Sequence, residues 1–423
     1  MKLAFVTPRY GGEIAIGAEH ACRLLAEQLS ERHDVEVFTT CARDPRTWKN
    51  EYGEGADRVR GVLVRRFSVN QPHDAAGFQH FSERILAAPR SRAEEMEWVR
   101  RLGPTAPGLV EHLKRQHRSY DALVFFSLFH ATTVQGLAVA PERSILFPYV
   151  RLNPVLRFAL WTDVVSSARA RGLVSNAERK LIRAFLRVTS GHEELVGVGV
   201  EPSQRQAYPR HQQDPADDAV GDDDAAPPEA SETPEDDFTD RGIPFRRRHR
   251  LYGPIALYSG RVESDNGCEE MLEYFDSYAA ADGAMSLVLM GAKMMRVPEE
   301  PYLRHAGMLP DRERMIAYEA ADVTLAPGSD DLLAQSVLES FAVGTPVLAS
   351  ARNEAAVEHC RRGTGGLYYA NREEFVEGLR LLMTRPKLRE QLGESGRQYV
   401  RQYYTWDAVL GRFDRLVTAV KGR

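Results

Sequence analysis

Short apolar runs alternate with longer stretches of helical period from Lys2 onward, and the alternation stops once and then starts again. This pattern constrains the fold more than anything else in the chain. A strand, a covering helix and a further strand, repeated, build a mostly parallel sheet with helices on both faces. Residues 2–7, 35–39, 61–69, 144–148 and 172–175 read as strands, and 121–128 is an almost unbroken apolar run expected of a central strand buried on both sides. Residues 19–31 put Ala21, Leu24, Leu25, Ala26 and Leu29 on one helical face. After the interruption, strands are expected at 254–259, 285–290, 323–326 and 346–349, with helices at 269–280, 311–321 and about 333–344. The expectation is an α/β protein of two doubly wound domains facing a central cleft. Open sheets of this kind bind ligands at the carboxyl ends of their strands.

The interruption has its own chemistry. From Asp214 to Asp240 the chain is rich in Asp, Glu, Pro and Ala and has no Lys or Arg. Such a stretch buries too little apolar surface to offset the entropy of ordering, which predicts a disordered linker or loop over 206–250. A basic neighbour, Phe245-Arg246-Arg247-Arg248-His249-Arg250, offers a surface on which it could fold. The expected division is a first domain at 1–205, the linker, a second domain at 251–402, and a C-terminal helix at 403–423 that packs back toward the first domain.

Several function classes recede. A net charge of -5 over 423 residues gives no global basic field, so nucleic acid is not an expected partner. Cys22, Cys41, Cys268 and Cys360 are scattered without a CxxC pair, which fits a reducing compartment and argues against a structural zinc site. The apolar run after Met1 is too short for a signal-peptide core, and the window 122–140 is broken by Ser127, His130, Thr132, Thr133 and Gln135. A soluble cytoplasmic protein is expected, with peripheral contact at the inner membrane face left open. The stretches 97–101 and 114–118 are basic and aromatic; they read as solvated helix faces or as a surface for anionic lipid or a saccharide chain.

Residues 329–350 read SDDLLAQSVLESFAVGTPVLAS and place Asp331 and Glu339 eight residues apart around the start of a helix that Gly344 should end. Gln335 and Ser336 lie near its N-terminus, where free amides and a partial positive charge favour phosphate. The two carboxylates are too far apart to share a proton. They suit grips on hydroxyls either side of a diphosphate, or else a simple cap and a solvated helical residue.

This stretch resembles the signature of the family-four glycosyltransferases of the GT-B fold, which have two Rossmann-like domains. In that family a Glu, seven residues, a second Glu and a tail ending Gly-Thr-Pro-Val lie against a nucleotide sugar. Here the second Glu is Glu339 and the tail is Gly344-Thr345-Pro346-Val347, while Asp331 stands at the first Glu and Leu333-Ala334-Gln335 replace Phe-Gly-Leu. Leu257-Tyr258-Ser259-Gly260-Arg261 is similar to the family's first donor-domain strand. Five residues beyond its Arg the family has a Lys; this chain has Asn266, followed by the expected Gly267. The resemblance implies that Arg261 neutralises the leaving diphosphate, with Asn266 offering a hydrogen bond in place of a charge.

Pro8 to Gly12 with Gly17-Ala18-Glu19 resembles the family's glycine-rich loop, with Ile16-Gly17 where Gly-Gly is usual. Glycine there lets backbone amides approach a phosphate. Arg151-Leu152-Asn153-Pro154 stands where a related subset has His-Asp-Glu-Pro, leaving His130 as the candidate polar residue at the reacting centre, or else a hydrogen-bonded structural histidine.

The resemblance therefore implies a retaining glycosyltransferase that uses a nucleoside diphosphate sugar and a saccharide or lipid-linked acceptor, in glycan or glycoconjugate biosynthesis. His130 and Asp331 are the catalytic candidates; Gly17, Arg261, Asn266, Ser336 and Glu339 are the donor-binding ones. No metal or other cofactor is expected, because the leaving phosphate can itself take the acceptor's proton. The substitutions at Asn266, Asp331, Ile16 and Arg151-Leu152 keep two alternatives open: a GT-B-shaped binding or scaffold subunit that has lost turnover, and a nucleotide-sugar epimerase.

Overall fold

A computed structural model of the protein describes residues 1–14, 17–188, 190–201, 242–282, 285–328 and 332–421. Most of the expected acidic linker, together with Ile16 and Asp331, lies outside the described residues.

The first domain is an eight-stranded sheet of β1 (Lys2–Val6), β2 (Asp34–Thr40), β3 (Gly55–Val59), β4 (Val62–Phe67), β5 (Ala122–Phe126), β6 (Ser144–Phe147), β7 (Ala170–Leu173) and β8 (His192–Leu195). Its order is β3-β4-β2-β1-β5-β6-β7-β8, with β3 alone antiparallel. The second is a six-stranded parallel sheet of β9 (Ile255–Ser259), β10 (Ser286–Met290), β11 (Leu303–Gly307), β12 (Val323–Ala326), β13 (Val347–Ser350) and β14 (Gly366–Tyr369), in the order β11-β10-β9-β12-β13-β14.

In each sheet the order of winding reverses beside the first strand: β1 pairs in parallel with β2 and β5, and β9 with β10 and β12. Those switch points open crevices at the carboxyl edge, where the candidate residues fall. Ala122–Phe126 is buried along its whole length, as its unbroken apolar run requires. The four strands that the sequence pattern does not announce, β3, β8, β11 and β14, are the four sheet edges. Their sequences GADRV, HEEL, LRHAG and GLYY face water on one side or more, so they carry little apolar signal.

The domains are stitched together at several places. The helix Trp406–Lys421 buries Val409, Leu410, Phe413, Leu416 and Val417 in the same core as Phe5, Val124, Phe126 and Phe147 of the first sheet. Each such side chain contributes about 1.5–3 kcal/mol of burial, so this helix is an integral layer of the first domain. Arg412 fixes it further, donating from Nε and Nη2 to the Val196 carbonyl at 3.0 and 2.8 Å. Leu332 and Leu333 of the second domain also enter this core, while Ala177 and Val200 enter the second domain's core.

The expected linker boundary at 250 requires correction. Residues Ile243–His249 form a helix that belongs to the second domain. Phe245 and Arg246 are buried, and Arg246 donates from Nη2 to the Ala320 carbonyl at 2.6 Å and from Nη1 to that of Gly253 at 2.7 Å. Only Arg247, Arg248 and Arg250 of the basic run remain exposed. In the stretch 97–101, Trp98 is buried, and Arg100 and Arg101 both pair with Glu97. No helix among the described residues is long and apolar enough to cross a membrane.

Candidate functional site

Four loops leave the carboxyl ends of β1, β5, β9 and β12 at the two switch points. After β1, Arg9 donates from Nε to Glu19 at 3.1 Å and from Nη1 to the Arg43 carbonyl at 3.0 Å, pinning the loop to the helix Gly17–Ser30. Gly17 opens that helix at φ +83°, a left-handed conformation that favours glycine. The expectation of a glycine there has this backbone reason whatever the ligand.

After β5 the chain turns sharply through Ser127, a non-glycine residue at φ +72° whose N–H donates to the Phe147 carbonyl at 3.0 Å. The turn aims Ser127 Oγ at His130 Nδ1, 2.7 Å away, and leaves Nε2 for other partners. The Trp48 ring meets the imidazole edge-on, with centroids 5.8 Å apart. Enclosure disfavours the imidazolium and holds the His130 pKa down at about 4; Glu19 opposes this and Arg9 reinforces it. His130 is therefore neutral at pH 7. Arg151 and Leu152 are exposed, and Asn153 caps a turn by accepting from the Val155 amide, so that segment presents no carboxylate to the site.

On the second domain, Arg261 lies just past β9 with its side chain 40% exposed and pairs with Glu263 at 2.8 Å. An exposed pair of this kind contributes little, so an incoming dianion can displace it. Asn266 makes a bond within its own loop. Its Nδ2 donates to the Arg261 carbonyl at 3.0 Å, and Tyr258 Oη donates to the same oxygen at 2.7 Å. Asn266 thus braces the loop that carries Arg261. Gly267 follows at φ +73°, and a Cβ there would stand 2.9 Å from the Pro327 carbonyl. The absence of a side chain lets the β9 loop lie directly on the β12 loop.

The β12 loop leads into the helix Gln335–Val343; Ala334 precedes it at φ +44° and Gly344 ends it at φ +81°. Its first-turn residue Ser336 is half-buried, and Glu339, one turn on, shares its helix face. Glu339 is buried. Its Oε1 accepts from Arg314 Nη2 and Gln335 Nε2, both at 2.9 Å. Burial raises the Glu339 pKa above the usual carboxylate range, against the pull of Arg314.

Arg314 is the residue that the sequence pattern misses. It sits 25 positions before Glu339 on the helix Asp311–Ala320, where no motif announces it. It also reaches Asp311 at 3.3 Å, and Asp311 is met across the domain boundary by Arg60 at 3.6 Å. Buried His20 lies among these charges with its pKa pushed down to about 3 by burial and by Arg23.

The structure therefore gathers Gly17 and His130 on one rim and Arg261, Asn266, Ser336 and Glu339 on the other. Asp331 has no described place.

Residues 243–399, which include all four second-domain candidates with described positions, match the family model described as glycosyl transferases group 1. Solved structures similar over the whole length include sucrose-phosphate synthase from Thermosynechococcus elongatus, 16% identical with a TM-score of 0.65 over 99% of each chain. Another is Alr3699/HepE of Anabaena in complex with UDP and glucose, 14% identical with a TM-score of 0.66 over 99% of each chain. The fold is GT-B. A third GT-B neighbour is WaaG, a glycosyltransferase involved in lipopolysaccharide biosynthesis, 14% identical with a TM-score of 0.58 over 100% of each chain.

Proposed function

We propose that the protein is a retaining glycosyltransferase of the family-four type that moves a hexose from a nucleoside diphosphate donor to an acceptor hydroxyl, in glycan or glycoconjugate biosynthesis. The observation that carries this reading is the contact of the β9 and β12 loops, which brings a displaceable arginine and a helix N-terminus together at one switch point. That pairing suits a diphosphate. The match of residues 243–399 and the UDP held by the HepE structure support the same donor class.

In the proposed reaction the acceptor oxygen bonds to the anomeric carbon as the bond from that carbon to the β-phosphate oxygen breaks. The acceptor's proton passes to the leaving phosphate. Arg261 and the amides near Ser336 stabilise the charge that collects there. His130, neutral and steadied by Ser127, keeps Nε2 for a sugar or acceptor hydroxyl. Glu339 suits the ribose hydroxyls, with Arg314 holding its carboxylate charged and in place. Asp331 is assigned the transferred sugar by motif position. No metal is required of the chain's own groups in this scheme. A protein acting on a saccharide or lipid-linked acceptor would work on the cytoplasmic side, at the membrane face where the acceptor is lipid-linked.

A second reading, a GT-B-fold binding subunit without turnover, is favoured by Asn266. Where the resemblance has a lysine, this loop has a neutral amide already bonded to the Arg261 carbonyl. A panel of UDP- and GDP-sugars, assayed for nucleoside diphosphate release with and without saccharide acceptors, separates the two. Release from one donor supports the transferase; nucleotide binding with no release from any donor supports the subunit.

A further inference from the structure

The first domain holds a cavity of about 250 Å³ between the start of the helix Ala75–Ala87, the end of the helix Arg92–Leu102 and the loop that follows it. Space for one water is only about 10–15 Å³ on this measure, so the cavity takes a ring-sized ligand. None of the donor-side candidates lines it.

Its position relates it to His130 in two ways. Trp48 lines the cavity and also meets the His130 ring, with centroids 5.8 Å apart. Gly103 lines it too, and its carbonyl accepts from the amide of Ala131, the residue next to His130, at 3.1 Å. The cavity wall and the His130 turn are thus one connected piece of structure.

Its lining has a recognisable chemistry. Trp48 donates its indole N–H to the Leu102 carbonyl at 2.7 Å, which leaves the ring as an apolar wall, and Phe78 supplies a second ring. Between them stand polar groups of both kinds. His73 Nδ1 donates to the Arg101 carbonyl, 3.1 Å away, leaving Nε2 open to a ligand. The Gln71 amide has no hydrogen-bond partner among the described residues, and Asp74 uses Oδ1 to cap the Gly77 amide.

The charges cancel. Arg100 and Arg101 both close on Glu97, whose carboxyl they hold down at about 2. With Asp74 facing the same space, the formal charges of these four residues sum to zero. Aromatic walls with mixed donors and acceptors and no net charge suit a neutral, hydroxyl-rich ring.

We infer that this cavity is the acceptor subsite, and that it binds a neutral saccharide unit beside His130. The inference rests on the transferase reading for the word acceptor, and on the cavity alone for the saccharide.

Saturation-transfer NMR on the full chain tests it, with methyl α-D-glucopyranoside and methyl β-D-galactopyranoside as neutral probes and glucuronate and glucose 6-phosphate as anionic ones. A neutral glycoside should bind. Gln71→Ala and His73→Ala should each weaken it about three- to tenfold, the loss of one hydrogen bond. Thr105→Trp, which fills the cavity, should abolish binding while the UDP-induced rise in melting temperature persists.

The inference is overturned if neither neutral glycoside binds, if the anionic sugars bind better, or if all three variants bind as the parent does. Should Thr105→Trp fail to fold, the two alanine variants decide. UDP binding without glycoside binding would sink the cavity assignment alone. Glycoside binding lost in the variants, with no UDP binding, would sink the transferase reading and leave a saccharide site.

Discussion

Replacing Arg314 by methionine tests whether Glu339 is held as a charged group. Glu339 is 7% and Arg314 21% exposed at the side chain, and they meet at 2.9 Å. Removing one partner of a buried pair generally costs about 3–5 kcal/mol because the other charge is left uncompensated. The partial exposure of Arg314 places this case at the low end, about 3 kcal/mol. For a domain of this size that lowers the melting temperature by about 6–12 °C. The sign with pH follows from Glu339. Its folded pKa is already above its ordinary value through burial, and losing Arg314 raises it further. The folded variant then binds more protons than the unfolded chain above the ordinary carboxylate pKa, so its stability falls as pH rises. Calorimetric melts at pH 5 and pH 8 should show the larger deficit at pH 8. Arg314→Met combined with Glu339→Gln should recover most of it. A deficit equal at both pH values, or a double variant no better than the single one, would refute a charged, buried Glu339.

Asn266→Lys should raise UDP affinity about tenfold, since a cation beside the diphosphate gains several kcal/mol before its desolvation is counted; isothermal titration checks this. His130→Ala should leave UDP affinity unchanged and lower the turnover of whichever donor the parent accepts by about 10²- to 10⁴-fold if the imidazole meets the reacting groups. Glu178, buried and accepting from the Val150 and Val174 amides, has its pKa pushed up to about 7 by burial. Between its ordinary value of 4.5 and about 7 the folded state binds the extra proton, so this group removes stability as pH rises, by at most about 3 kcal/mol. The melting difference between parent and Glu178→Gln should therefore shift in favour of the variant from pH 5 to pH 8.

The doubly wound plan was legible because the central strands are buried on both faces and write continuous apolar runs, as at Ala122–Phe126. The edges were not, because GADRV and HEEL need pack on one side at most. The boundary at 250 went astray for a related reason. Arginines predict a solvated surface, yet Arg246 is buried and bonded to backbone carbonyls of its own domain. At the site, Gly344 was readable because a left-handed helix end favours glycine at a definite place in the chain, whereas Gly267, also left-handed, was expected from the resemblance alone. The partners of Asn266 and Glu339 were not readable. Asn266 closes on a backbone oxygen, which any residue could supply, and Glu339 closes on Arg314, which shares no motif with it.

The central claim is that Arg261 and the helix beginning at Gln335 hold a nucleoside diphosphate. The melting temperature of the parent and of Arg261→Ala, each with and without UDP or GDP, tests it most directly. A ligand at about 100 times its Kd adds roughly 2.7 kcal/mol of stability. The parent should show a melting rise of about 5–10 °C with one of the two nucleotides, and Arg261→Ala should show little or none. No rise with either nucleotide, or an equal rise in both proteins, would contradict the account.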